Sequence, residues 1–274
     1  MASFEGLNNI NVARLAAVVS FVVGTWATMY WFLCDGHDGT AVGKTPFSVE
    51  HKTLHQFWCL EIVLQLFYVL QLFSPDSSVV EKAHGLVWFF ARFEILQLVW
   101  AYFFGGLHGH HNFIWAWIFA ILQVANVVFS PAVRSSSQIK TTSRWWFIHG
   151  GAVALPVSWI FYLFWWNGSL ALGWTDVSKA SVPAILSNIF IWSFPLFGLF
   201  LVSQFGDWLA GFVLAEFAFS MWHTQKGLQH IFALVGSIII AIYSFVVAYP
   251  DIPHGRLVRG GSSSERAPLL GGDA

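Results

Sequence analysis

Residues 105–112 read "GGLHGHHN", three histidines in eight positions, between two long apolar runs. Imidazole titrates near neutral pH and is a common zinc ligand. The stretch "HKTLH" sets His51 and His55 four apart, on one face if the helix there begins early. His223 and His230 bracket a later break between apolar runs. Three readings fit His51, His55, His108, His110, His111, His223 and His230. They hold a metal, with zinc the candidate; they sense pH in an acidic lumen; or they are amphipathic residues at a membrane edge, where Gly105, Gly106 and Gly109 make the turn. The sequence has no HExxH, and His84, His149 and His254 stand outside the group.

A second set of chemistry-bearing residues lies inside the apolar runs: Glu61, Arg92, Glu94 and Glu216. Ionisable groups at membrane depth are costly and are candidates for function. Glu61 shares a helix face with Gln65, and Glu94 with Gln97. Glu61, Gln65, Glu94 and Gln97 are therefore expected to form a polar seam. It serves either as a path for protons or small polar solutes, or as interhelical hydrogen bonding that fixes the bundle. Arg92 and Glu94 are separated by about 200° around a helix and cannot serve one site. Rise per residue puts Arg92 about 9 Å and Glu216 about 12 Å in from the same side, which predicts an Arg92–Glu216 ion pair. Glu61, roughly 10 Å deep from the other side, is a poorer match for Arg92.

The elements that must position these groups follow from composition. The chain is 57% hydrophobic and only 10% charged, where a soluble domain carries about 25% charged residues. An integral membrane protein is expected, and a net charge of -1 without a basic patch argues against nucleic acid as a partner. A span needs about 20 apolar residues, and backbone satisfaction in lipid makes each one a helix. Eight are expected, at 12–33, 54–73, 86–104, 113–129, 146–165, 182–202, 208–222 and 231–248. The seventh is short and carries Glu216, so seven spans is the alternative. The fold class is thus an all-α polytopic transmembrane helix bundle over residues 1–249, with a disordered cytoplasmic tail over 250–274.

On the eight-span reading, eight Lys and Arg fall on one side and four on the other, with Arg92 inside a span. Positive residues favour cytoplasmic loops, so both termini are expected in the cytoplasm and the histidine-rich loops outside. The N-terminal run is too long for a signal peptide's apolar region. Cys34 and Cys59 are too few for a disulfide framework. Asn167-Gly-Ser is a glycosylation sequon on the outer side, too close to Trp165, Trp166 and the membrane for modification.

Four stretches carry a resemblance: "KTPFSVEHKTL" in the first outer loop, "YLFWWNGSLAL" at 162–172, "LSNIFIWSFPLFG" in the sixth span, and "SSSERAPLLGG" in the tail. With these the chain resembles a family of fungal multi-pass membrane proteins of unknown function. That resemblance implies a fungal endomembrane protein and assigns no functional residue. The tail also resembles an acidic dileucine sorting signal. Glu265 precedes Leu269 and Leu270 by the usual spacing, so a sorting adaptor is the expected partner and a vacuole or late endosome the destination.

No P-loop, dinucleotide fingerprint or GxSxG occurs. The leading expectation is a small-solute or ion transporter, proton-linked, or a channel-like protein, in a lipid bilayer of the endomembrane system. One alternative is a non-catalytic membrane scaffold or sorting partner. The other is a membrane-embedded metal-dependent hydrolase using the outer histidines.

Overall fold

The computed structural model describes residues 2–30, 45–105, 111–136, 146–174 and 181–249. Its elements are α1 (Ala2–Thr28), α2 (His51–Gln71), α3 (Ser77–Gly105), α4 (Phe113–Phe129), α5 (Pro131–Ser136) and α6 (Trp146–His149). A π-helical turn (Gly150–Ala154) leads into α7 (Leu155–Ala171), followed by α8 (Val182–Phe190), α9 (Ser193–Phe205), α10 (Trp208–Thr224) and α11 (Leu228–Ala248). No strand occurs among the described residues.

Among the described residues, six segments are long and apolar enough to cross a membrane: Ile10–Thr28, His51–Gln71, Ser77–Gly105, Trp146–Ala171, Val182–Phe205 and Leu228–Ala248. The other two expected spans are also helices, α4 and α10, each of 17 residues. At 1.5 Å per residue such a helix covers about 25 Å, a little less than the hydrocarbon core. The fold is an all-α polytopic transmembrane bundle. Its outward faces carry exposed Leu15, Val63, Ile95, Ile121, Leu196 and Ile242. Lipid is the solvent that suits such a surface.

Helix ends follow local chemistry. Asn112 caps α4 by accepting from the Trp115 backbone N–H at 3.2 Å, and Ser181 caps α8 through Ala184 at 3.3 Å. Ser130 ends α4 in an extended conformation and Pro131 follows it, where the helix cannot continue. α9 stops at Gly206, whose φ of +68° is the left-handed conformation of a helix C-terminus.

The segment from α6 through α7 is the centre of the bundle. Of its most apolar stretch 83% is buried, against 28% in α1 and in α11. Trp159 at its middle is fully buried. Its ring centroid lies 4.8 Å from Trp58, 5.5 Å from Phe57 and 5.9 Å from Trp100. On the other flank, Gly198 faces Ile240, Gly211 faces Ser244 and Gly236 faces Pro195. Small residues let α9, α10 and α11 approach closely, which is how helices pack where the surroundings are themselves apolar.

The segment Thr45–Glu50 runs into the end of the bundle where α10 turns into α11. Phe47 is fully buried beside Trp165 and Phe194. The Gln225 amide donates to the Thr45 and Ser48 carbonyls at 3.1 and 3.2 Å, and the Ser220 hydroxyl accepts from the Glu50 N–H at 2.7 Å. Gln229 and Thr224 donate to the Pro46 and Ser48 carbonyls. The part of "KTPFSVEHKTL" from Thr45 onward is therefore a built part of that end of the bundle.

Candidate functional site

Glu61 and Gln65 sit one turn apart on α2, and the Gln65 amide donates to Glu61 Oε1 at 2.7 Å. Glu94 on α3 comes to the same group, close to Gln65 and to the Glu61 carboxyl. Glu61 is 0% exposed and Glu94 2%. One oxygen of each, Glu61 Oε2 and Glu94 Oε1, is buried with no hydrogen-bond partner. Neither carboxyl has an ion-pair partner among the described residues.

Three residues further along α3, Gln97 Oε1 accepts from Gln123 of α4 at 3.2 Å and from the Trp159 indole at 3.0 Å. Gln97 Nε2 and Gln123 Oε1 are left buried and unpartnered. Another three residues on, the Trp100 indole donates to Asn167 Oδ1 at 2.7 Å, and Asn167 Nδ2 donates to the Phe113 carbonyl at 2.9 Å. The spacing of three keeps Glu94, Gln97 and Trp100 on one stripe of α3, a polar ladder about 9 Å long. The structure thus brings Glu61, Gln65, Glu94 and Gln97 together, and adds Gln123, Trp159 and Asn167. Asn167 is fully buried, with both ends of its amide engaged. We expect N-glycosidase treatment to leave the protein's mobility unchanged; a shift that disappears in Asn167→Gln would show the contrary.

Two glycines make room for the carboxyl pair. A Cβ on Gly24 of α1 would lie 1.7 Å from Glu94 Oε2. A Cβ on Gly151, inside the π-helical turn, would lie 2.2 Å from the Leu64 carbonyl oxygen and 2.8 Å from the Gln65 N. The second clash is with backbone, so α2 or the turn has to move. Gly151→Ala is expected to destabilise the protein by about 1–3 kcal/mol, as overpacking does. Gly85→Ala, with nothing within 4 Å of the added carbon, is expected to be neutral or mildly stabilising. Thermal unfolding of the two variants in detergent checks the contrast. Single π-helical turns inside α-helices are frequent at functional sites, and this one sets the backbone against Gln65.

The Arg92–Glu216 pair is not formed. Arg92 donates from Nε to Asn126 Oδ1 on α4 at 2.8 Å, and Asn126 donates on to the Phe89 carbonyl at 3.3 Å. Glu216 is exposed on α10. The reason is adjacency: α3 packs mainly on α1 and α4, while α10 packs mainly on α11, α9 and α7. Equal depth does not make two helices neighbours.

The described histidines are mostly structural. His111 Nδ1 contacts the Phe104 carbonyl at 2.7 Å, and its ring stacks on Phe113. His230 Nδ1 contacts the Trp222 carbonyl at 2.6 Å, while its Nε2 accepts from the Trp222 indole at 2.7 Å. Each serves a carbonyl near the end of a helix, a group left without an intrahelical partner. His51 and His55 do share a face, with ring centroids 4.0 Å apart. His223 packs on Phe219 and Trp222. Among the described residues no three His, Cys, Asp or Glu are placed to hold a metal. His108 and His110 lie outside the described residues, as do Glu265, Leu269 and Leu270 of the tail.

Sequence patterning sets His149 aside and passes over Asp207. They form a buried pair, with His149 Nε2 3.0 Å from Asp207 Oδ2. The approach meets the distance of an ion pair but not the angle of a hydrogen bond. Asp207 also caps α10, accepting from the Ala210 N–H at 3.1 Å. The legible signal was an acid directly before an apolar helix, the N-cap position. His149 immediately precedes the π-helical turn that touches Gln65.

Residues 184–270 match the family model described as a fungal protein of unknown function (DUF1774). The match takes in α9, α10, α11 and most of α8, and leaves out the helices that carry Glu61 and Glu94. No curated protein and no solved structure matches the chain.

Proposed function

We propose that this bundle is a proton-linked transporter of a small solute or ion, with the Glu61–Glu94 pair as its coupling site. The observation that carries this reading is the two buried carboxyl oxygens without partners, Glu61 Oε2 and Glu94 Oε1. A buried carboxyl without a countercharge takes up a proton or a cation. Gln65 donates to the Glu61 carboxyl and lies beside that of Glu94, so a change of occupancy at one is felt at the other. Gly24 brings α1 against the Glu94 side chain, and Gly151 sets the π-helical turn against the α2 backbone at Leu64 and Gln65. A proton gained or lost there changes the contact between α1, α2 and α3, the sort of packed interface that switches between discrete arrangements. The ladder through Gln97 and Asn167 extends the polar stripe toward the end of the bundle where α7 meets the start of α4.

The finer assignments rest on sequence patterns. The charge bias supports cytoplasmic termini, and Glu265, Leu269 and Leu270 support an adaptor and delivery to a vacuole or late endosome. In such a compartment the outer histidines would face an acidic lumen and tune the site.

The test is reconstitution into sealed vesicles with an imposed pH gradient and a trapped pH dye. The parent protein is expected to dissipate the gradient, and Glu61→Gln to slow it. A second reading, a non-catalytic membrane scaffold, is favoured by the aromatic packing around Trp159 and by the Thr45–Glu50 segment closing one end. Failure of the parent protein to move protons at any gradient or membrane potential would favour that scaffold.

A further inference from the structure

We propose that the cleft between the middle of α1 and the start of α3 binds the headgroup of an aminophospholipid, phosphate to Arg14 and ammonium to Glu81. The cleft has a volume of about 610 Å³ and is lined by Arg14, Ser74, Ser77, Val80, Glu81 and His84, among others. It lies where the apolar stretch of α1 begins, α2 ends and α3 begins. Three span ends meet there, so the cleft opens at the membrane surface, the depth of lipid headgroups.

Arg14 is held in place and still has donors to give. Its Nε donates to the Leu72 carbonyl at 2.8 Å, and its guanidinium carbon stands 5.2 Å above the centre of the Phe73 ring. Among the described residues only Nε is engaged, so the terminal nitrogens remain for a phosphate, which a guanidinium binds through paired N–H donors. The His84 Nε2 is buried and has no partner. Ser74, whose hydroxyl accepts from the Asp76 N–H at 3.2 Å, and Ser77 also line the cleft.

Glu81 decides the class of ligand. It is exposed, lines the same cleft and makes no ion pair with Arg14. A purely anionic headgroup would meet a carboxylate there and be repelled. A headgroup with a phosphate and a primary ammonium satisfies both charges, and a primary ammonium donates hydrogen bonds that a trimethylated one cannot. Exposed Leu15, next to Arg14, and exposed Phe73, under its guanidinium, offer apolar surface to the acyl chains. Basic pockets between membrane helices at the bilayer surface are known lipid sites; the added carboxylate makes this one selective for phosphatidylethanolamine over phosphatidylcholine.

The experiment is lipid binding to the detergent-purified full chain, read by native mass spectrometry and by thermal stabilisation. The probes are phosphatidylethanolamine, phosphatidylcholine and water-soluble phosphorylethanolamine. Phosphatidylethanolamine is expected to bind about tenfold more tightly than phosphatidylcholine. Glu81→Gln, an exposed site where folding is not at stake, is expected to erase that preference, and Arg14→Gln to weaken both lipids. Equal binding of the two lipids by the parent protein would overturn the proposal, as would a preference that survives Glu81→Gln. Phosphorylethanolamine binding as tightly as the lipid would overturn it too, since the site would then take a free phosphoester.

Discussion

Vesicles carrying the Glu61→Gln/Glu94→Gln variant are expected to lose an imposed pH gradient no faster than protein-free vesicles. Glutamine matches glutamate in shape and removes the titrating group. At position 61 its amide oxygen still accepts from Gln65, the contact now 2.7 Å long. Folding is therefore expected to survive. Replacing buried charge by neutral groups of similar volume is often neutral or stabilising. An unfolding midpoint at or above the parent's, together with lost flux, separates a functional role from a structural one. A midpoint well below the parent's would mean that the carboxyls hold the bundle together.

Asp207→Ala is expected to be the most damaging single change to stability. It removes the cap on the Ala210 N–H and leaves His149, which is 3% exposed, without its partner. Breaking a buried pair from one side costs about 3–5 kcal/mol, and loss of a cap about 1 kcal/mol. Asp207→Asn keeps a good capping oxygen and gives up the charge, so its loss is expected to fall between parent and alanine. Unfolding midpoints of the three proteins in one detergent check the order. An alanine variant as stable as the parent would show that His149 finds another partner when Asp207 is absent.

Much of the architecture was legible because lipid imposes one requirement on every span. Apolar runs near the right length become helices, and all eight expected runs did over their described residues, the sixth with a break at Ile191 and Trp192. The Glu61–Gln65 and Glu94–Gln97 faces were legible for a similar reason: spacing on a single helix needs no knowledge of neighbours. What failed needed such knowledge. Arg92 and Glu216 agree in depth, yet α3 has α4 beside it, and Asn126 takes the guanidinium. The π-helical turn at Gly150–Ala154 leaves no mark in hydropathy, and Gly151 shows its purpose only against the Leu64 carbonyl. His111 and His230 looked like ligands because histidine was dense there. In the fold each goes to a helix-end carbonyl, a need that arises only once the helices exist.

Proton exchange at Glu61 and Glu94 is the central claim, and infrared difference spectroscopy reads it directly. Spectra of the reconstituted protein would be taken as the pH of the bathing buffer is stepped, and compared with Glu61→Gln, Glu94→Gln and the double variant. Proton exchange at the pair gives carboxyl difference bands in the parent that change in each single variant and vanish in the double one. A double variant whose carboxyl bands match the parent's would contradict it.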